Sequence, residues 1–170
     1  MTGKNKWIPY KLTLKIISPI HTGYRKVGNI DMCRRYIPSK TMWGAVTAAL
    51  TRERQRTTGK YDYENVGNEI KQSIRFSYFY PTVDQEKIRF WPWKDVNQFD
   101  WNFMDSYAST AIRYQQFSAL EGSLHETEFI RPCSRDGKQV YLLGYMIMHA
   151  DKKNLKNEFI SVLNLSLIHI

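Results

Sequence analysis

The feature that most restricts the possible folds is a regular alternation of apolar and polar side chains over residues 10–16. The apolar set is Tyr10, Leu12, Leu14 and Ile16, and the polar set is Lys11, Thr13 and Lys15. Because side chains of a β-strand point alternately to opposite faces, this spacing predicts a half-buried strand over 10–17 with one basic, solvent-facing side. Pro19 ends the strand, since proline lacks the N–H that a sheet requires.

A loop over 20–37 separates this strand from a helix predicted over 39–54. The helix has an apolar stripe at helical spacing, formed by Met42, Ala45, Val46, Ala49 and Leu50. Ser39 is the candidate N-cap, because its hydroxyl can accept a hydrogen bond from a free backbone N–H. Gly44 lies inside the helix at a cost of about 1 kcal/mol relative to alanine, which predicts close packing against a neighbouring element. A turn signal that ends at Gly59 closes the helix.

The rest of the chain has weaker patterns. In chain order they predict a polar segment or short helix over 60–73, a strand over 74–80 closed by Pro81, a short strand or irregular hairpin over 88–93, an aromatic loop over 95–108, strands over 121–131 and 139–149, and a helix over 154–163. Asp136 and Gly137 form a strong turn signal, so the last two strands are predicted to pair as a hairpin.

This order of elements indicates an α+β fold. A ferredoxin-like or RNA-recognition-like antiparallel sheet with helices on one face has such an order. Its second face is then open and offers a binding platform. The length of 170 residues suits one domain.

The charge balance favours an anionic partner. The chain has 25 Lys and Arg against 16 Asp and Glu, a formal net charge of +9. Nucleic acid and membrane surfaces are such partners, although a basic protein without one can have the same composition. No apolar run approaches the roughly 18 residues of a membrane span. Cys33 and Cys133 cannot form a disulfide framework, so a reducing cytoplasm is the expected location.

The last six residues are expected to have a different origin from the rest. Residues 165–170, Leu-Ser-Leu-Ile-His-Ile, are the translation of CTG TCT CTT ATA CAC ATC, the mosaic end of a library adapter. An ordinary apolar helix end is the alternative interpretation. We exclude these residues from fold reasoning as an adapter-derived scar. Residues 1–164 are then one domain, the N-terminal part of a longer protein whose C-terminal part is missing.

Two motifs stand out. The first is a Ser-Pro-apolar-His-x-Gly turn, a basic loop and an Ile-Pro-Ser helix start, formed by Ser18, Pro19, Ile20, His21, Gly23, Tyr36, Ile37, Pro38, Ser39, Trp43, Gly44 and Ala45. The second is the Glu-Gly-x-Leu segment within 118–128. Both resemble motifs of the repeat-associated mysterious proteins of CRISPR–Cas systems, the RAMP superfamily. The Gly-rich loop at the C-terminus of that family has no counterpart here.

The resemblance implies a modified RNA-recognition fold that binds CRISPR RNA. It implies a subunit of a type III effector complex, with CRISPR RNA, target RNA and other Cas effector subunits as partners and no membrane partner. Such a subunit works in the cytoplasm, where it takes part in antiviral defence. It holds its RNA without a cofactor.

The basic segment favours RNA binding independently of the resemblance. Between His21 and Arg56, eight Lys or Arg side chains and two acids give a local balance of +6. Basic side chains beside glycines and a helix start form a phosphate site, and tyrosines among them can stack on bases. The candidate RNA-binding residues are His21, Tyr24, Arg25, Lys26, Arg34, Arg35, Tyr36, Ser39 and Lys40. The alternative is a solvated basic loop without a ligand.

Asp31 is the candidate catalytic residue of a rival function, cleavage of RNA. The stretch over 27–31 is similar to the apolar-Gly-x-apolar-Asp of type III backbone subunits, whose acid promotes metal-dependent cutting of target RNA. In that role Asp31 holds Mg²⁺ together with phosphate oxygens. The spacer between Asp31 and the helix start is shorter than in the family. The favoured alternative is a structural ion pair with Arg34 or Arg35.

Two further functions remain open. His21 and His125 are candidates for the general acid and base of metal-free RNA processing, although no nucleophile is identifiable. The second of these functions is that of a protein-interaction domain without RNA binding. Its exposed aromatic patch is Trp91, Trp93, Phe99 and Trp101. No metal-ligand spacing occurs, so no metal site is predicted. We expect a non-catalytic subunit that binds CRISPR RNA.

Overall fold

The computed structural model describes residues 6–166, which contain four helices and ten strands. The helices are α1 (Ser39–Thr58), α2 (Tyr63–Ser73), α3 (Val96–Phe103) and α4 (Lys153–Ser166). The strands are β1 (Trp7–Lys15), β2 (Gly23–Val27), β3 (Ile30–Cys33), β4 (Ile74–Phe76), β5 (Tyr80–Thr82), β6 (Met104–Ser109), β7 (Ile112–Arg113), β8 (Ser118–Ala119), β9 (His125–Ile130) and β10 (Tyr141–His149). None of these helices is long and apolar enough to cross a membrane. Residues 167–170 of the adapter-like string lie outside the described residues.

The first sheet is built around β10. Its order is β1-β10-β4, and β5 pairs with the other end of β10. All pairs are antiparallel, and Leu12 of β1 lies opposite Gly144 of β10. The strand predicted from the alternation is confirmed as β1, with Lys11 and Lys15 exposed and Leu12 and Leu14 packed against the core.

Three helices cover one face of this sheet. Val46 and Leu50 of α1 are buried, as the helical spacing predicted. They pack in one cluster with side chains of α2, β4, β10 and α4, namely Val66, Ile70, Ile74, Met146, Met148, Leu155 and Phe159. Antiparallel strands with helices on one face confirm the α+β class.

A second sheet, which the sequence did not predict, has the order β2-β3-β9-β6. The pair β3–β9 is parallel, and the other two pairs are antiparallel. β2 and β3 form a hairpin inside the segment predicted as a loop over 20–37, and Gly28 turns it at φ +58°. Every residue of β2 is exposed. The segment therefore lacks the apolar alternation by which a half-buried strand is recognised.

The predicted hairpin between the strands over 121–131 and 139–149 is wrong. The turn does occur, with Gly137 at φ +74°, but it leads from β9 in the second sheet to β10 in the first. Gln139 stabilises this crossing, because its side-chain nitrogen donates to the carbonyl oxygens of Ile16 at 2.6 Å and Pro132 at 3.0 Å. A turn signal identifies a reversal of the chain and leaves the pairing of the strands open.

The aromatic loop predicted over 95–108 is also wrong, because this segment forms α3 followed by β6. Phe99 and Phe103 are fully buried one helical turn apart, with ring centroids 5.1 Å from each other. Residues four apart lie on the same face of a helix. A helix of 8 residues exposes too little periodic pattern to be distinguished from a loop.

The strand predicted over 74–80 is interrupted. It is divided into β4 and β5, and Pro81 lies inside β5 rather than after it. β5 has one partner strand, β10, so proline's missing N–H costs no pairing on its other side. The segment over 88–93 is irregular, so the short strand that was one of its two predicted alternatives is wrong.

The helix ends follow the sequence in part. Gly59 ends α1 in a left-handed conformation at φ +72°, as predicted. Ser39 is not the N-cap, because Pro38 occupies that position with no side-chain hydrogen bond. The ambiguous segment after Gly59 contains α2, and Asp62 caps it by accepting a hydrogen bond from the backbone N–H of Asn65 at 3.1 Å.

Close packing occurs at Gly144 and not at Gly44. Apart from the backbone of α1 itself, no described atom lies within 4 Å of a Cβ placed on Gly44, so the contact predicted there is wrong. A Cβ on Gly144 lies between 2.6 and 2.8 Å from ring atoms of Phe79, whose side chain is fully buried. Phe79 in turn exchanges two backbone hydrogen bonds with Ile37, at 2.9 and 3.1 Å. Gly144 thereby leaves room on the first sheet for the Phe79 ring, and Phe79 holds the segment that precedes α1.

Candidate nucleic-acid interface

The hairpin over 23–34, named here the basic hairpin, holds an exposed tyrosine between two arginines. Tyr24 is 55% exposed. The Cζ atom of Arg25 lies 5.5 Å from the centroid of the Tyr24 ring, and that of Arg34 lies 5.3 Å from it. Cation–π attraction holds guanidinium groups near such a ring. The hairpin therefore presents one aromatic plane flanked by two positive charges.

Arg34 connects Tyr24 to a second aromatic side chain. Its Nε donates to the carbonyl oxygen of Gly23 at 3.2 Å, and its Nη1 donates to the Oη of Tyr36 at 3.4 Å. Its backbone N–H donates to the carbonyl oxygen of Thr22 at 2.7 Å. These contacts fix the guanidinium group of Arg34 between the two tyrosines.

Beyond Arg34, five rings form a contact series, named here the aromatic strip: Tyr36, Tyr78, Tyr80, Trp91 and Trp93. Tyr36 stacks on Tyr78 with a centroid distance of 4.9 Å and an interplanar angle of 25°. Tyr80 contacts Trp91 at 5.2 Å and Trp93 at 5.5 Å in edge-to-face geometry. Tyr78 and Trp93 are exposed. The irregular segment over 88–93 thus supplies two rings of the strip.

The backbone pairing of Ile37 with Phe79 explains the position of the strip. Neighbouring side chains of an extended chain point to opposite sides. Ile37 and Phe79 enter the core, so Tyr36, Tyr78 and Tyr80 stand on the other side of the chain. Burial raises the pKa of the Tyr80 hydroxyl above its usual range.

Arg35 is engaged within the protein. Its Nε and Nη2 donate to the two carboxylate oxygens of Asp100, both at 2.6 Å. This double hydrogen bond raises the pKa of the Arg35 guanidinium group further above its usual range. Asp100 belongs to α3, which the sequence patterns did not reveal. Arg35 therefore joins the segment before α1 to α3 and is less available to RNA than Arg34.

Asp31 pairs with a lysine instead of the expected arginine. The Nζ of Lys26 lies 3.6 Å from the Oδ1 of Asp31, directly across the basic hairpin. Asp31 thus forms the ion pair of the favoured alternative, with Lys26 in place of Arg34 or Arg35. Among residues 6–166, no three His, Cys, Asp or Glu side chains lie close enough together to hold a metal ion.

The two candidate histidines are held by different neighbours. The Nδ1 of His21 lies 2.7 Å from the carbonyl oxygen of Glu128, so Nδ1 carries the proton of that hydrogen bond. His125 contacts the Oγ of Ser109 at 2.7 Å through Nε2 and the carbonyl oxygen of Ser123 at 3.1 Å through Nδ1. These bonds orient each ring against its own part of the second sheet.

Ser39 and Lys40 form the first turn of α1. The backbone N–H groups of Thr41 and Met42 donate to the carbonyl oxygen of Pro38 at 3.0 and 3.2 Å, which closes the turn. The Lys40 side chain is exposed, and Ser39 is half-buried. The first N–H groups of a helix attract anions, so this turn extends the basic surface along the chain from Tyr36.

The aromatic patch considered for protein interaction is not a single exposed surface. Phe99 is fully buried, so its predicted exposure is wrong. Trp91 and Trp93 belong to the aromatic strip. Trp101 is exposed on α3, with the Cζ of Arg135 4.8 Å from its ring centroid.

An exposed hairpin made of β7 and β8 was missed by the sequence analysis. Tyr114 and Phe117 are each 82% exposed, and their ring centroids lie 5.8 Å apart. Phe117 has a positive φ of 49° at the turn. The strands have two residues each, too few for a periodic signal. The clustering of two aromatic residues in a polar stretch was the available signal, since exposed apolar groups mark interaction surfaces.

The basic hairpin and the aromatic strip thus meet at Arg34 and form one surface. Its cations suit phosphate groups, and its rings suit the faces of bases. No protein-family model matches the chain, and no curated protein matches its sequence. The chemistry of this surface therefore determines the choice of function.

Proposed function

We propose that this chain is a CRISPR-RNA-binding subunit of a type III-like effector complex. The observation that carries the proposal is the link through Arg34, which contacts both Tyr24 of the basic hairpin and Tyr36 of the aromatic strip. Arginines neutralise phosphates, and aromatic rings stack on bases of any identity. A protein that holds guides of different sequence requires this combination of contacts.

The distribution of ion pairs supports phosphate binding on one part of the hairpin. Lys26 and Arg35 already have carboxylate partners, Asp31 and Asp100. Arg34 instead contacts neutral groups, so its full charge is available to an anion. The RNA backbone is therefore expected to contact the side of the hairpin that carries Arg34.

The first sheet supports the ferredoxin-like part of the proposal. In that βαββαβ fold, the third strand lies between the first two, and a helix connects the first strand to the second. Here β10 lies between β1 and β4, α1 connects β1 to β4, and α4 follows β10. The RAMP-like motif fits this order, because its parts follow β1 and begin α1. The basic hairpin is then an insertion between the first strand and the first helix.

The proposed subunit holds RNA without cutting it. The carboxylate of Asp31 forms an ion pair with Lys26. The ring of His21 forms a hydrogen bond with the backbone carbonyl of Glu128. Its partners are CRISPR RNA, target RNA and other Cas effector subunits in the cytoplasm.

Co-purification of RNA tests the proposal. The chain is produced in cells together with the transcript of a type III CRISPR array, purified, and its bound RNA is sequenced. We expect repeat-containing small RNA to be enriched over total cellular RNA, and to be reduced in a Tyr24→Ala/Arg34→Ala variant. Wild-type protein that carries no enriched RNA would contradict the proposal.

Protein docking without RNA binding is the second candidate, favoured by the exposure of Tyr114 and Phe117 on the β7–β8 hairpin. Exposed rings of this size are typical of a surface that a partner covers. Sedimentation with the other effector subunits separates the candidates. Docking alone predicts that Tyr114→Ser/Phe117→Ser abolishes assembly while the wild-type protein binds no RNA.

A further inference from the structure

The face of the first sheet opposite the helices carries exposed apolar and aromatic side chains. Met146 and Met148 of β10 point into the helix-side core, so Tyr145 and Ile147 point to the other face. The register places Trp7 of β1 on that same face, opposite His149. The exposed fractions are 37% for Trp7, 51% for Tyr145 and 36% for Ile147.

Trp7 is held in a fixed orientation on this face. The ring of His149 meets it edge-on, with centroids 5.3 Å apart and an interplanar angle of 88°. The guanidinium carbon of Arg75 lies 5.5 Å from the Trp7 ring centroid. Arg75 is itself fixed, because its Nη1 donates to the carbonyl oxygens of Ile74, at 3.1 Å, and Lys71. Trp7 therefore keeps its position without a ligand.

The open area has a defined limit. Near the middle of β1, the Oγ1 of Thr13 donates to the carbonyl oxygen of Gln85 at 3.2 Å, and the Nζ of Lys11 pairs with Glu86. The segment around Gln85 thus covers one end of the face, and Leu143 beneath it is buried. Within residues 6–166, the uncovered end is the one that carries Trp7.

We propose that this uncovered end, named here the sheet platform (Trp7, Arg75, Tyr145 and Ile147), binds unpaired bases of single-stranded RNA. His149, the partner of Trp7, lies four positions after Tyr145. The rings of Trp7 and Tyr145 therefore stand about 13 Å apart along the strands. Ile147 lies between them, opposite Arg75. Two rings with an apolar residue and a guanidinium group between them form a stacking surface for successive bases.

The sheet platform and the aromatic strip face the same side. Tyr80 of the strip pairs with Leu143 of β10, two residues from Tyr145, and paired residues share a face. The platform and Tyr80 thus lie on the same face of the sheet, and the segment around Gln85 covers Leu143 between them. The identity of the ligand rests on the proposed function, whereas the location of the platform does not.

Binding of RNAs of two lengths tests the platform. Fluorescence anisotropy measures the affinity of the full chain for single-stranded RNA of about 10 and about 30 nucleotides, since one site spans only several nucleotides. We expect Trp7→Ala and Tyr145→Ala each to weaken binding of the longer RNA about five-fold or more. Binding of the shorter RNA should change less than two-fold. Trp7→Phe keeps an aromatic face and should restore most of the affinity.

The controls separate failure of the platform from failure of the RNA-binding proposal. Tyr61→Ala removes an exposed tyrosine ahead of α2 and should leave both affinities unchanged. If the platform variants bind the longer RNA as the wild type does while Arg34→Ala weakens both RNAs, the platform is wrong and the proposed function stands. If the wild-type protein binds neither RNA, both the proposed function and the platform are wrong. A changed oligomeric state of Trp7→Ala at unchanged RNA affinity identifies a protein-docking face and overturns the platform.

Discussion

The two sheets of this protein use their residues in opposite ways. In the first sheet, β10 is buried against three helices on one face, and alternate residues such as Met146 and Met148 fill the core. In the second sheet, all of β2 is exposed, and the hairpin carries charges and a tyrosine. Burial of apolar surface stabilises the first sheet, and this rigid support lets the second present side chains that contribute little to stability.

Arg34 and Arg35 show the same contrast at the boundary between the sheets. Arg35 makes a double hydrogen bond to Asp100 and holds two elements together. Arg34, its neighbour, reaches Tyr24 and Tyr36 on the outer surface. Adjacent residues of one type thus belong to two functions, stability and binding, and only their partners distinguish them.

The largest expected effect is in the core of the first sheet. Gly144→Ala places a Cβ within 3 Å of the Phe79 ring, which is fully buried and cannot move without displacing its neighbours. We expect the free energy of unfolding to fall by about 3 kcal/mol, as overpacking of a core does. Urea-induced unfolding followed by circular dichroism measures this change.

Gly44→Ala is the matched control, because both variants add one methyl group. Apart from the backbone of α1 itself, no described atom lies within 4 Å of the new Cβ of Gly44→Ala, and alanine favours the helical backbone of α1. The free energy of unfolding should rise by about 1 kcal/mol. Equal effects of the two variants would show that Phe79 is not packed on Gly144 as described.

The next effect separates the two arginines. Arg34→Ala should weaken binding of single-stranded RNA several-fold and lower the salt dependence by about one phosphate contact, with little loss of stability. Arg35→Ala should lower the free energy of unfolding by about 1 kcal/mol, since the pair with Asp100 is partly exposed and solvent screens it. Its RNA affinity should change less. Filter binding and urea unfolding of both variants measure these changes. A larger loss of RNA affinity in Arg35→Ala, with a larger loss of stability in Arg34→Ala, would contradict the assignment of Arg34 to binding and Arg35 to stability.

The first sheet was largely predictable because its signals are local. The alternation over 10–16 and the helical stripe of Val46 and Leu50 each lie within one element, and burial on one face creates such a period. The basic hairpin produced no such period, because neither face of β2 is buried. Its composition nevertheless identified the residues, and Tyr24, Arg25 and Arg34 do lie together.

Long-range partners could not be predicted from local patterns. Asp100 lies 65 residues from Arg35, and the Phe79 ring is what makes Gly144 necessary. The sequence around Gly44 and Gly144 contains no sign of which glycine has a neighbour. Likewise, the platform ring Trp7 and its partner His149 become neighbours only through the register of β1 and β10.

Asp31→Asn should have a small effect on stability and on RNA affinity. The pair with Lys26 is exposed, so its loss should cost at most about 0.5 kcal/mol of stability. Lys26, freed from the carboxylate, should then bind phosphate slightly better, and RNA affinity should rise up to about two-fold. Affinity and magnesium-dependent cleavage are measured with labelled complementary RNA in the presence of guide RNA. Specific cleavage by the wild type that the variant lacks would restore Asp31 as a catalytic residue.

The smallest effect concerns the cap of α2. Hydrogen bonds from the side chain and backbone of Asn65 lower the pKa of Asp62 below that of an unfolded chain. A lowered folded-state pKa stabilises the protein above the unfolded value, and this contribution is lost as pH falls through the folded value. The difference in melting temperature between wild type and Asp62→Ala should therefore shrink as pH falls from about 6 to about 3. A constant difference over this range would show that the charge of Asp62 does not contribute.

The central claim is that the exposed basic hairpin of the second sheet binds RNA through charge and stacking together. The affinity of the wild-type chain and of Tyr24→Ala for single-stranded RNA, measured over a series of salt concentrations, tests it most directly. The account predicts that log affinity of the wild type falls linearly with log salt, and that Tyr24→Ala binds more weakly with the same slope, because it removes a ring and no charge. An affinity that does not depend on salt, or that Tyr24→Ala leaves unchanged, would contradict it.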